Sequence, residues 1–166
     1  MTLRLATITS SDTRTKETDE GGALLVELLR GGGYEVPLSL VVREDAGALQ
    51  ITTRTLVETR RFAAIVITGG TGVGPRDRTA SELRPLFVKP LDGFGELFRQ
   101  LSFAEIGPRG MLSNALAGLV GATVVYALPG SLKAIRLGVE KLILPTLQHT
   151  VALAEGRTAH GSAKTP

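Results

Sequence analysis

A chain of 166 residues with 43% hydrophobic content has the size of one ordinary domain and enough apolar side chain for a substantial core. It has no cysteine and two histidines, His149 and His160, which excludes disulfides, thiol nucleophiles, Cys-ligated zinc or iron–sulfur sites and a His-rich metal centre. A net charge of +3 suits an anionic ligand, but the basic residues are spread along the chain and tyrosine occurs only twice, so no nucleic-acid motif or base-stacking surface emerges.

The N-terminus lacks a signal-peptide layout, and apolar runs such as Leu24–Leu29 or Ala122–Leu128 fall well short of the roughly 18 residues a membrane span needs. The cytoplasm is the expected location. Four β-like runs, Leu3–Ile8, Tyr34–Val42, Phe62–Thr68 and Thr123–Leu128, alternate with helical patterns. That order predicts a single α/β domain over 1–154, a three-layer αβα sandwich around a mostly parallel sheet, followed by a flexible tail over 155–166. Pro37 cannot donate to a ladder, so the second run is an edge strand or starts after the proline.

Between the first two strands, Leu24, Leu25, Leu28 and Leu29 share one helical face that Gly31–Gly33 ends. A second helix is expected over Ala46–Arg60. Thr79 and Glu82 have the spacing of a capping box ahead of Leu83, Leu86 and Phe87. Phe94, Leu97, Phe98 and Leu101 form an amphipathic stripe expected in the core or a subunit interface. The last helical pattern runs from Leu132 to Pro145, and a short helix is expected over Leu147–Ala154. His149 and His160 read as surface positions.

In a parallel sheet, the loops after the strands lie along one edge, where backbone N–H groups meet ligands. Four such loops are polar or glycine-rich. After the third strand comes Val66–Asp77, VITGGTGVGPRD, whose glycines permit positive φ and close approach of an anion. It has the GxxxxG spacing of a P-loop, but Pro75 and Arg76 stand where Lys and Ser/Thr should follow, and the dinucleotide fingerprint fails at Pro75. The loop is a phosphate cradle or simply a tight turn. Asp77 tips the balance toward a ligand, because a carboxylate beside a phosphate loop is costly unless a cation shares the site.

The loop after the first strand offers Ser11, Asp12, Thr13 and Arg14 as a ligand wall, or a solvated turn in which Thr18 or Asp19 caps the next helix. Glu44 or Asp45 reads as a helix cap after the second strand. Ser131, in LPGSLK, is either a plain N-cap or an anion contact at a helix start.

The motifs SDTRT (Ser11–Thr15), TGGTG (Thr68–Gly72), PRD (Pro75–Asp77), GFGELFRQLSF (Gly93–Phe103) and LPGS (Leu128–Ser131), in this order over residues 3 to 150, closely resemble the MoaB/Mog family of molybdenum cofactor biosynthesis proteins. That family is similar to the small domains of gephyrin, and the Gly93–Phe103 stretch leans toward its MoaB branch. The resemblance implies the molybdopterin-binding fold, a homotrimer or homohexamer, and molybdopterin and ATP as partners. It also implies a reaction in which ATP with Mg²⁺ adenylylates molybdopterin and releases pyrophosphate; the alternative is a molybdopterin-binding or carrier oligomer without transfer activity. Carried over by motif, Asp45 and Asp77 are the implied catalytic carboxylates and Mg²⁺ ligands. Thr68, Gly69, Gly70, Thr71 and Gly72 match the phosphate loop, and Pro129, Gly130 and Ser131 the loop on the pterin side. Ser11, Asp12, Thr13 and Ser113 fall in the implied pocket. Two positions depart from the pattern. Gly21 stands where many relatives have serine, and Asn114 follows Leu112 and Ser113 where the family commonly has arginine.

Overall fold

The computed structural model describes residues 2–157; the tail from residue 158, including His160, lies outside the described residues. Six strands form one mixed sheet in the order β2-β1-β3-β6-β5-β4. Strands β1 (Arg4–Ser10), β2 (Glu35–Val42), β3 (Ala64–Thr68) and β6 (Thr123–Leu128) run parallel to one another. They correspond to the four runs expected from the sequence. Pro37 lies within β2, at the sheet edge, where the register against β1 slips between Arg4–Glu35 and Ala6–Leu38. A bulge on an edge strand is where a missing N–H does least harm.

Two strands carry no separate signal in the sequence. β5 (Leu116–Val120) pairs antiparallel with β6, and the two-residue β4 (Lys89–Pro90) pairs antiparallel with β5. Gly121 and Ala122 alone connect β5 to β6, and Gly121 supplies the positive φ of +60° that such a tight hairpin requires.

Helices cover both faces of the sheet. On one face, Leu25 and Leu29 of α1 (Glu20–Gly31), Phe98 of α4 (Asp92–Ile106), Ile135 of α5 (Leu132–Gly138), and Leu147 and Val151 of α6 (Leu144–Ala154) bury against Leu5, Val66, Val124 and Tyr126. On the other, Leu49 and Leu56 of α2 (Ala48–Glu58) and Leu83 of α3 (Thr79–Leu83) bury against Ile8, Ile65, Ile67 and Val125. Alternate residues of each central strand feed the two cores, which makes the runs continuously apolar. Of the α4 stripe, Phe98 is buried, Phe94 and Leu101 pack on the core, and Leu97 is half exposed.

Three local expectations are corrected. Thr79 and Glu82 form no capping box: Arg78 precedes α3 without a side-chain cap, and the Glu82 carboxylate accepts the Gly47 and Gln50 N–H groups at 2.9 and 3.0 Å. Glu82 therefore caps α2 from another helix, and neither Glu44 nor Asp45 does so. The C-terminal helical path does not break at Pro145. Residues Val139–Ile143 form a π turn, and the Leu144 N–H reaches the Val139 carbonyl, five residues back. This wider turn admits a proline that has no N–H to give to an ordinary helix. The expected Asp19 cap of α1 is present: its Oδ1 accepts the Gly22 N–H at 2.8 Å.

Candidate phosphate and cation site

Because β1, β2, β3 and β6 are parallel, the loops that follow them share one edge, and the chain departs in opposite directions from β1 and β3. Such a switch point is where open α/β sheets bind ligands. Here the glycine loop passes against the end of β1. A Cβ on Gly69 would lie 2.3 Å from the Ser10 carbonyl oxygen, and Gly69 and Gly70 hold φ of +93° and +64°. Only glycine satisfies both demands at Gly69.

Four successive carbonyls of this loop are tied into the protein. Thr79 holds the first two: its Oγ1 donates to Gly69 O at 2.7 Å, and its N–H to Gly70 O at 3.0 Å. Asn114 holds the next two: its N–H donates to Thr71 O at 2.8 Å, and its Nδ2 to Gly72 O at 3.0 Å. The Gly70, Thr71 and Gly72 N–H groups have no protein acceptor among the described residues. A loop whose carbonyls are engaged and whose N–H groups are free is an anion-binding nest.

Thr68, Gly69, Ser11, Gly130 and Ser131 line a cleft of about 270 Å³ with Arg14 at its wall. Several of its hydroxyls are already committed. Ser131 Oγ accepts the Ala134 N–H at 3.2 Å as the N-cap of α5, Thr68 Oγ1 donates to Pro129 O at 3.0 Å, and Ser11 Oγ accepts the Thr13 and Arg14 N–H groups at 3.3 and 3.2 Å. Thr13 itself is exposed. Ser113 Oγ accepts the Ala115 N–H at 3.2 Å, behind Asn114.

The carboxylates divide unexpectedly. Asp77 closes the glycine loop by accepting the Gly74 N–H at 2.8 Å. Asp45 is exposed and pairs with Arg43 at 3.4 Å, a solvated contact of little energetic weight. Its neighbour Glu44 is the acid that turns inward: a Cβ on Gly70 would lie 3.2 Å from Glu44 Oε1. Burial first, and then the Asp77 charge, push the Glu44 carboxyl above its ordinary value. Adjacent acids in the sequence do not reveal which one faces in, and Glu44 read there only as a helix cap. Among the described residues, no three His, Asp or Glu side chains gather closely enough to enclose a metal ion. Two carboxylates that border the glycine loop without a third, Glu44 at Gly70 and Asp77 at Gly72, fit a hard cation that completes its shell with phosphate oxygens and water, as Mg²⁺ does.

A second cleft, of about 450 Å³, opens between α4 and β5, with Arg84, Phe87, Glu96 and Arg99 among its lining residues. The Arg99 guanidinium donates to the Ser113 and Ala115 carbonyls at 3.4 and 3.3 Å, bracketing Asn114. Glu96 and Arg99 belong to the Gly93–Phe103 motif, within which neither is singled out by the sequence as a site residue.

Residues 6–149 match the family described as "Probable molybdopterin binding domain". The chain is 41% identical over 150 residues to molybdenum cofactor biosynthesis protein B of Bacillus subtilis, covering 90% of this chain and 88% of the relative. It is 42% identical over 148 residues to the protein of the same name from Bacillus cereus, covering 89% and 88%. A crystal structure of molybdenum cofactor biosynthesis protein B superposes with a TM-score of 0.90 at 39% identity, covering 94% of this chain and 98% of that one. The tungsten cofactor synthesizing protein MoaB of Pyrococcus furiosus superposes with a TM-score of 0.79 at 33% identity, covering 95% and 98%. By sequence and fold together, the chain belongs to the molybdopterin-binding family of molybdenum cofactor biosynthesis proteins.

Proposed function

We propose that this protein acts in molybdenum cofactor biosynthesis as a Mg²⁺-dependent adenylyltransferase that moves AMP from ATP to the terminal phosphate of molybdopterin. The observation that carries this reading is the glycine loop, with its four carbonyls held by Thr79 and Asn114 and its N–H groups free for phosphate oxygens. An oxygen of the molybdopterin phosphate forms a bond to the α-phosphorus of ATP, the bond from that phosphorus to the α–β bridging oxygen breaks, and pyrophosphate leaves with the electron pair. The attacking group is already anionic at neutral pH, so the protein needs no catalytic Cys or His, only alignment and charge stabilisation.

Glu44 and Asp77 would hold Mg²⁺, which when bound neutralises charge on the ATP phosphates and polarises the reacting phosphoryl group. Gly70–Gly72 bind phosphate oxygens through N–H groups, while Ser11, Gly130, Ser131 and Arg14 border the adjoining cleft. The names of the relatives support the pathway. The reaction itself is tested by incubating the protein with molybdopterin, ATP and Mg²⁺ and seeking adenylyl-molybdopterin by mass spectrometry. Asp77→Asn should reduce its formation on the order of 10²-fold or more while leaving the circular dichroism spectrum unchanged, because several kcal/mol of transition-state charge stabilisation is removed. Full activity in that variant would defeat the assignment.

One observation favours a second reading, in which the protein binds molybdopterin without transfer. Asn114 brings no positive charge to the loop and directs its amide to Gly72 O. Calorimetric binding of molybdopterin with no product from ATP would select it. In either case a homotrimer or homohexamer in the cytoplasm fits. Phe103, Ile106, Met111 and Leu112 are 60, 49, 74 and 46% exposed along the end of α4 and the segment after it, a run of apolar surface suited to a second copy. No helix among the described residues is long and apolar enough to cross a membrane.

A further inference from the structure

Asp12 lies beside the glycine loop and is expected from the sequence to contact ligand, yet its side chain is only 10% exposed and both its oxygens are engaged by the protein. Oδ1 accepts the Glu44 N–H at 3.0 Å, and Oδ2 pairs with the Arg76 guanidinium. One carboxylate from the loop after β1 thus grips the loop after β2 and the loop after β3. It grips each next to an acid of the candidate cation pair: at the backbone of Glu44 itself, and at the residue preceding Asp77.

We propose that Asp12 is a positioning residue that fixes the separation of Glu44 and Asp77 before a divalent cation arrives. The inference rests on the reading of those two acids as the cation site. The physical need is clear. The Asp77 charge acts unfavourably on Glu44, and the two acids sit on separate loops that mutual repulsion would spread. A tie that spans both loops holds the pair open for a cation at no cost in reorganisation on binding. The pairing with Arg76 also neutralises Asp12, so the tie adds little negative charge to a site that must receive phosphates. A direct ligand role would instead aim a third carboxylate at an anion.

The test uses Mn²⁺ as probe, with ATP present and no pterin acceptor, so that nothing turns over; bound Mn²⁺ is read by electron paramagnetic resonance. Asp12→Ala removes both ties and should weaken Mn²⁺ binding roughly 10-fold or more, the usual consequence of losing a partner that orients a metal ligand. Asp12→Asn keeps an acceptor for the Glu44 N–H, and Arg76→Gln leaves that bond intact; each should weaken Mn²⁺ by less. ATP binding measured calorimetrically in EDTA should change less than about twofold in all three, because the loop N–H groups remain in place. A general loss of structure would weaken both measurements together.

Glu44→Gln and Asp77→Asn serve as controls. If both bind Mn²⁺ as the unaltered protein does, the cation site is wrong and the role of Asp12 falls with it. If they lose Mn²⁺ while Asp12→Ala keeps it within about twofold, the cation site stands and the positioning role alone is overturned. Should Asp12→Ala fail to fold, Asp12→Asn and Arg76→Gln decide the question, and unchanged Mn²⁺ binding in both refutes the proposal.

Discussion

The parallel and antiparallel halves of the sheet treat their connections in opposite ways. In the parallel half, β2-β1-β3-β6, the loops after β1, β2 and β3 are polar or glycine-rich; Asp12 and Glu82 tie them to one another and to α3, and Thr79 folds the last of them onto itself. In the antiparallel half, β5 passes to β6 through two exposed residues, Gly121 and Ala122. Two positive-φ glycines display the contrast: Gly69, pressed against the end of β1, and Gly121, at the opposite end of the sheet in open space. Crowding between loops, more than backbone conformation alone, distinguishes the edge that carries the candidate site.

Alanine at these two glycines should separate the halves most widely. Gly69→Ala places a Cβ against the backbone oxygen of Ser10 at a φ of +93°. Strain and overpacking together should cost roughly 3 kcal/mol or more. At Gly121 a Cβ would meet nothing nearer than Val57 Cγ1 at 4.0 Å, so only the conformational penalty of about 1 kcal/mol applies. Urea unfolding of the two variants measures the gap. Equal losses would mean that the loop after β3 relaxes freely, contrary to a preorganised nest.

The ties between loops come next in size. Glu82→Ala removes the acceptor of two N–H groups at the start of α2, which has no cap of its own, and should cost about 2 kcal/mol in thermal or urea unfolding. Asn114→Ala cuts one bond between the antiparallel half and the glycine loop, keeps the backbone bond to Thr71 O, and should cost about 1 kcal/mol. Its larger consequence should be a several-fold loss in calorimetric ATP affinity, because Gly72 O is then free to turn toward the phosphates. Unaltered affinity would show that Thr79 and the backbone bond to Thr71 O orient the loop without the Asn114 side chain.

The same division explains how much the sequence discloses. β1, β3 and β6 are buried on both faces and so announce themselves as apolar runs, and Asp19 caps α1 as local chemistry dictates. β5 is apolar too, but with only Gly121 and Ala122 between it and β6, no helix-length spacer marks it as a strand of its own. Its Gly118 is small because the Phe87 ring lies where a Cβ would go, a tertiary reason. β4 is two exposed residues, one of them proline, and exists only through pairing. At the site, the glycine loop is legible because the positive φ at Gly69 and Gly70 is a local demand that only glycine meets readily. The inward acid after β2 is not, since whether Glu44 or Asp45 faces the glycine loop depends on the direction of the chain as it leaves β2. Thr79 and Glu82 have helix-capping spacing yet serve other elements, and no local pattern records such long-range bonds.

The smallest effect is also the most specific to the functional edge. Glu44 has its carboxyl raised above 4.5 by burial and by the Asp77 charge, so folding disfavours its ionised form. The stability associated with Glu44 is therefore full below pH 4.5 and is lost as pH rises through the raised folded value. Glu44→Gln removes the charge at every pH. Without divalent cation it should be slightly more stable than the unaltered protein at neutral pH, and the difference should close as pH falls toward 4.5, where protonation gives the glutamate the same relief. Urea midpoints measured from pH 7.5 down to 4.5 in EDTA check the sign. Adding Mg²⁺ and ATP at neutral pH should reverse the order, because a bound cation stabilises only the chain that carries the carboxylate. An advantage for glutamine that persists with Mg²⁺ and ATP would mean that the inward turn of Glu44 serves no cation, and that the loops of the parallel half are tied together for folding alone.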